Sequence, residues 1–232
     1  MRTAIVTGGT AGIGLAVARA LLQRGDAAFV CARDSRRLAD ALSSLASHGR
    51  DRLAGMVCDV RDASSVEAMV DAAGDRFERV DALINAAGVG TIAPIDGLTP
   101  EAWQNMIDTN LTGVFNCCRA TLPLLTAAGQ ADIVNLGSRA GRYAFRGGVG
   151  YNTTKFGLQG FTEALFLDLH PRGIRVSLVA PGTVATGLAG VAPQDWHLDA
   201  DDVAKAVLHV LDADFRAAIN WVEIRPARPP VT

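Results

Sequence analysis

The amino-acid sequence predicts an α/β protein: one doubly wound parallel sheet of about seven strands with helices on both faces, in a single domain covering the 232 residues. Three observations predict it. Strand-like and helical segments alternate along nearly the whole chain. The strand-like runs are continuously apolar, as strands covered by helices on both sides must be. The first of them leads straight into a glycine-rich turn that opens a helix, the connection that parallel β–α–β units use to approach a ligand.

Residues 3–7 form an apolar, β-branched strand, and 12–24 carry the helical pattern of the first helix. A second strand at 27–32 is followed by a helix near 35–46, a strand at 53–58 and a helix near 63–77. The fourth strand is expected at 81–85, helices over 100–127, a strand at 132–136, a helix at 151–170 and a strand at 175–180. A last helix at 201–211 precedes a final strand at 217–224. The Gly, Pro and Trp of 186–198 suggest a loop over a site, and the prolines of 225–232 an extended closing tail.

Composition narrows the function classes. A chain of 232 residues with 49% hydrophobic and 20% charged residues buries a core without a metal or disulfide staple. Its 22 basic and 24 acidic residues leave a net charge of -2, no footprint for nucleic acid or an anionic membrane. No run approaches the ~18 apolar residues of a membrane span, and residues 1–7 are too short for a leader peptide. Cys31, Cys58, Cys117 and Cys118 lack C-x-x-C spacing and read as reduced core residues, so neither a metal site nor a secreted scaffold is expected. A cytoplasmic protein is the expectation.

The glycine turn reads Thr7-Gly8-Gly9-Thr10-Ala11-Gly12-Ile13-Gly14. Glycines let a backbone turn tightly against a pyrophosphate, and the helix behind offers free N–H groups at its positive end. The spacing is G-x-x-x-G-x-G rather than G-x-G-x-x-G. Tyr151 and Lys155 lie four residues apart in a helical pattern and so share one face. An ammonium one turn from a phenol lowers its pKa of about 10 towards the working range of an acid/base.

With these residues the sequence resembles the short-chain dehydrogenase/reductase family, whose Rossmann-type fold carries the signature T-G-x-x-x-G-x-G. Asn85-Ala86-Ala87-Gly88 matches its N-A-G element, Asn110-Leu111-Thr112-Gly113 its N-x-x-G, and Ser138-Arg139-Ala140-Gly141 its S-x-A-G. Tyr151-Asn152-Thr153-Thr154-Lys155 matches Y-x-x-x-K, and Pro181-Gly182-Thr183-Val184-Ala185-Thr186 matches P-G-x-V-x-T. The resemblance implies hydride transfer between a nicotinamide cofactor and a carbonyl or secondary alcohol. By it, Tyr151 is the general acid/base, Lys155 lowers the tyrosine pKa and binds the nicotinamide ribose, Ser138 polarises the substrate oxygen, and Asn110 orients a relay water. Cofactor contacts are implied for Gly8, Thr10, Gly12, Ile13, Gly14, Val60, Asn85, Ala86, Gly88, Pro181, Gly182, Val184 and Thr186, besides Tyr151 and Lys155. Asp59 resembles an adenine-contacting acid or, equally well, a plain helix cap.

Ala32 stands where NAD-type relatives resemble one another in having aspartate, and Arg33 follows it, so NADP(H) is expected over NAD(H). Ala11 departs from the second cation many NADP-type relatives carry in the glycine turn. Phe145, Leu188 and Trp196 are expected to wall an open substrate pocket. Arg139, Arg142 and Arg146 read as solvent- or subunit-facing charges, with an acidic substrate as the alternative. The apolar helices at 111–127 and 151–170 resemble those forming four-helix interfaces in relatives, which implies a homodimer or homotetramer. A catalytically silent NADP(H)-binding regulatory or scaffold protein is the competing reading, and the intact Asn110, Ser138, Tyr151 and Lys155 argue against it.

Overall fold

The computed structural model describes residues 1–190 and 192–228, so the end of the expected closing tail lies outside the described residues. Seven strands form one sheet in the order β3-β2-β1-β4-β5-β6-β7, and every neighbouring pair is parallel. They are β1 Thr3–Thr7, β2 Ala27–Ala32, β3 Leu53–Val57, β4 Ala82–Asn85, β5 Ala131–Leu136, β6 Ile174–Pro181 and β7 Trp221–Ile224. The helices are α1 Gly12–Gln23, α2 Ser35–Leu45, α3 Ala63–Phe77, α4 Pro100–Ile107, α5 Gly113–Ala128, α6 Val149–Leu169 and α7 Ala200–Asp212.

The doubly wound expectation is met. β1, β4, β5 and β6 are buried along their whole length, whereas the edge strands β3 and β7 are only partly covered. One face packs against α1, α2 and α7 through Val17, Leu21, Leu38, Leu45, Val203 and Val207. The other packs against α3, α5 and α6 through Val66, Met69, Val114, Leu125 and Leu158. Strand order reverses between β1 and β4, which opens a crevice at their carboxyl ends.

Most boundaries fall within a residue of the sequence reading, and three larger or more local differences stand out. α6 starts at Val149, so Tyr151 sits in its first turn. The last strand is half the expected length, because Arg216 and Ala217 fold back on Asp214 in a turn. The helical stretch at 100–127 is divided by a π-helical turn at Asp108–Thr112. Such turns break the regular hydrogen-bond ladder and gather at functional positions.

At the sheet's opposite end, Asp132 is fully buried and accepts two hydrogen bonds from Arg175, at 2.8 and 3.1 Å, and one from Arg2 at 2.5 Å. The Arg175 guanidinium lies 4.0 Å from the Phe215 ring centroid and also donates to the Ala213 carbonyl. This cluster ties β1, β5, β6 and the chain after α7 together beneath the crevice.

Candidate active site

A cleft of ≈ 1110 Å³ occupies the crevice. At one end stands the turn between β1 and α1. Gly8 has φ +66°, and a Cβ there would lie 2.8 Å from the Ala87 Cα. A Cβ on Gly14 would lie 2.4 Å from the Gly8 carbonyl oxygen, so the helix can follow the turn this closely only with glycine at 14. Ala11 precedes α1 without a side-chain cap, and no acid occupies the first turn. The first amides of α1 therefore have no side-chain acceptor of their own and face the cleft end-on.

Across the crevice, Thr7 Oγ1 accepts hydrogen bonds from the Ala86 and Ala87 amides, both at 3.1 Å. This clamp draws the chain after β4 over the glycine turn. The sequence places Thr7 at the end of the first strand and the head of the glycine turn, with no side-chain partner indicated. Its role depends on a partner 79 residues away, which no local signal announces.

The second wall carries the polar side chains. Ser138 caps a short helical turn at Arg139–Gly141, its Oγ accepting from the Ala140 amide at 3.0 Å. Ser138, Tyr151 and Lys155 all line the cleft. Lys155 is buried, and its Nζ donates to the Leu136 carbonyl at 2.8 Å. Burial lowers its pKa to about 8. Tyr151 is pushed up from its ordinary value by burial, while the Ser138 hydroxyl beside the phenol pulls it down. Spacing alone predicts that the ammonium depresses the phenol. Here Nζ lies 5.7 Å from the Tyr151 ring centroid and is held by Leu136, so desolvation dominates instead.

Asn110 rides on the π-helical turn, and both N–H donors of its side chain are taken. Nδ2 donates to the Val89 carbonyl at 2.8 Å and to Thr154 Oγ1 at 3.0 Å, and Oδ1 accepts from the Val89 amide at 2.9 Å. It thus joins the loop after β4 to α6 at Thr154, the residue directly before Lys155.

Of the other expected cofactor contacts, Gly8, Gly12, Ile13, Gly14, Ala86, Gly88, Pro181, Gly182, Val184 and Thr186 line the cleft. Thr10, Arg33, Asp59, Val60, Asn85 and Asn110 lie outside its lining. Asn85 turns its side chain into the interior, where Nδ2 donates to Asn135 Oδ1 at 2.9 Å. Val60 is buried and fills the space that a side chain on Gly113 would need. Arg33 is exposed past the end of β2, and the Asp34 carboxylate turns away to cap α2 by accepting from the Arg37 amide at 2.9 Å. Asp59 is held by Arg61 at 2.6 Å; that hydrogen bond, aided by the charge of Arg33, keeps its carboxyl below the ordinary range.

The glycine turn and the segment after β6 meet over the cleft. Gly12, at φ +50°, would place a Cβ 3.1 Å from Thr186 Cγ2. The expected loop after Thr186 is closed at its base by a parallel bridge between Val184 and Leu198. From this loop Leu188 and Trp196 line the cleft, opposite Phe145.

A sheet that reverses its order behind a glycine turn of this kind is the nucleotide-binding architecture of open α/β proteins, and the geometry places this chain in that class. Residues 2–196 match the family described as short chain dehydrogenase. The chain belongs to the short-chain dehydrogenase family of oxidoreductases. It is 40% identical over 209 residues, 89% of this chain and 80% of the relative, to a Streptomyces virginiae protein assigned as a ketoacyl reductase of the monensin polyketide synthase. It is 36% identical to the D-threitol dehydrogenase of Mycolicibacterium smegmatis, covering 96% of this chain and 90% of that one. Among solved structures, actinorhodin polyketide ketoreductase with NADPH superposes with a TM-score of 0.90 at 31% identity, covering 97% of this chain and 96% of the other. The alcohol dehydrogenase of Thermococcus sibiricus, complexed with 5-hydroxy-NADP, superposes with a TM-score of 0.91 at 28% identity over the whole of both chains.

Proposed function

We propose that this chain is an NADP(H)-dependent oxidoreductase that interconverts a carbonyl compound and its alcohol, with Tyr151 as the general acid/base. One observation carries the reading: Ser138, Tyr151 and Lys155 stand on one wall of the same cleft whose far end is the glycine turn.

The residues present fit a nicotinamide dinucleotide. The uncapped first turn of α1 and the close approach at Gly8 and Gly14 form a cradle for a pyrophosphate, and a Cβ at position 14 would meet main chain. Ile13 and the neighbouring glycines would hold the diphosphate, Lys155 the nicotinamide ribose, and the segment from Pro181 to Thr186 the nicotinamide end. When bound, the dinucleotide supplies or accepts the hydride.

The protein's own part is the proton and the geometry. Tyr151, kept protonated by its buried setting, gives its phenolic proton to the substrate oxygen in reduction and takes one back in oxidation. Ser138 donates to the same oxygen and polarises the carbonyl. Lys155 carries the positive charge that stabilises the phenolate once it moves off the Leu136 carbonyl. With both N–H donors of the Asn110 side chain taken, a relay water held by Asn110 would bind by donating to one of its remaining oxygen acceptors.

The choice of NADP(H) rests on the end of β2. Ala32 offers no carboxylate to a ribose 2′-hydroxyl, Asp34 is committed to α2, and the exposed Arg33 stands ready for a 2′-phosphate. The relatives solved with NADP or NADPH support the same choice.

Phe115, Phe156 and Leu167 are 48%, 46% and 64% exposed on α5 and α6, an apolar surface suited to a homodimer or homotetramer. Four buried cysteines, all unpaired, suit the reducing cytoplasm.

The test is oxidation of NADPH, with NADH in parallel, against aldehydes, ketones and 3-oxo esters. Turnover that disappears in Tyr151→Phe while NADPH still binds supports the reading. Arg33→Ala is expected to weaken NADPH far more than NADH; equal loss of both would end the cofactor assignment. Silence across the panel with NADPH bound would favour a regulatory binding protein.

A further inference from the structure

Among the described residues the cleft is lined by three cations, Arg139, Lys155 and Arg225, and by no aspartate or glutamate. Lys155 is engaged with Leu136, and Arg225 is paired with Glu223 at 3.1 Å. Arg139 has no ion-pair partner among the described residues. It directly follows Ser138, so it stands at the reacting end of the cleft, away from the glycine turn.

Its guanidinium is not left to wander. It lies 4.6 Å from the centroid of the Tyr143 ring, a residue that lines the same wall. Stacking engages the flat face of a guanidinium and leaves the in-plane N–H donors outward, in the fork that matches a carboxylate, sulfonate or phosphate. Arg142, from the same segment, turns instead to the Trp221 ring, 6.0 Å from its centroid, and does not line the cleft. An anion entering the cleft meets attraction and no opposing carboxylate.

We propose that the substrate of this site is a carbonyl compound, or the matching alcohol, bearing an anionic group that Arg139 binds while Ser138 and Tyr151 hold the reacting oxygen. The inference rests on the oxidoreductase reading and names the substrate class within it. Leu188 and Trp196 then supply apolar contact to the carbon chain joining the two groups.

The experiment uses the purified protein with NADPH and a series of oxo acids of increasing chain length, each paired with its methyl ester. At one chain length the acid is expected to exceed its ester by roughly tenfold in kcat/KM, falling with added salt. Arg139→Gln is expected to lower kcat/KM for that acid roughly tenfold more than for the ester, mainly through KM. Ester turnover with no preference for the acid at any length sinks this inference and leaves the oxidoreductase standing. A preference that survives Arg139→Gln sinks it too. Silence towards acids and esters alike, with NADPH binding intact, removes the oxidoreductase reading and this inference together.

Discussion

The Asn152 side-chain amide donates to the Ala140 main-chain carbonyl over 2.6 Å, from the residue next to Tyr151 to a residue two beyond Ser138. The same amide reaches the Tyr143 carbonyl at 3.3 Å, and Oδ1 accepts from the Phe145 amide at 3.4 Å. One buried side chain thus fixes the segment after Ser138 against the first turn of α6. It holds the serine and the tyrosine in register.

Asn152 is therefore a positioning residue. Its replacement by alanine leaves buried main-chain groups unpaired, at about 1–3 kcal/mol, and lets the serine wall drift. A misplacement of about 1 Å costs up to about a hundredfold in rate. Asn152→Ala is expected to lower kcat by roughly tenfold or more with NADPH affinity little changed, since the glycine turn is remote. Steady-state kinetics beside cofactor titration checks this; a parallel loss of both would mean a general weakening of the fold.

Gly14 and Gly74 give opposite expectations for one substitution. Gly14→Ala forces a methyl to 2.4 Å from the Gly8 carbonyl, so the turn must open and dinucleotide binding is expected to be lost. Gly74 lies inside α3, where a Cβ would make ordinary contact with Leu124 at 3.5 Å. Gly74→Ala is expected to raise stability by about 0.5–1 kcal/mol. Cofactor titration reads the first and thermal unfolding the second.

Asp132→Ala strips the partner from Arg175, whose side chain is only 8% exposed. An uncompensated buried charge of this kind costs about 3–5 kcal/mol. Chemical denaturation should show the loss, and Arg2→Ala, with its more exposed guanidinium, a smaller one.

Lys155 makes stability depend on alkaline pH. Its folded pKa of about 8 lies below the unfolded value of about 10.4. Between these values the unfolded chain holds a proton that the folded chain has lost, so this group's contribution rises with pH. The buried thiols Cys31, Cys117 and Cys118, all pushed up, titrate in the opposite sense. The comparison is therefore wild type against Lys155→Met, which cancels the thiols. The wild type is expected to gain on the variant by an amount on the order of 3 kcal/mol from pH 8 to 10.4. A flat difference would show that the ammonium is solvated.

The fold class, the order of its elements and the residues of the glycine turn and the Tyr151–Lys155 pair were legible because each signal acts between chain neighbours. Apolar runs mark covered strands, glycine permits positive φ at Gly8 and Gly12, and a spacing of four brings two side chains to one helical face. The tertiary structure decided the rest. Thr7 clamps a loop 79 residues away, Asp132 gathers Arg2 and Arg175, and Asn110 lies on a π-helical turn with both its N–H donors taken. The direction in which Tyr151 is shifted also belongs there. Spacing brought a lysine near the phenol, but desolvation and the Leu136 carbonyl, neither written in any local pattern, outweighed the charge. Burial and long-range partners are sums over the whole packed chain, and only packing brings them into being.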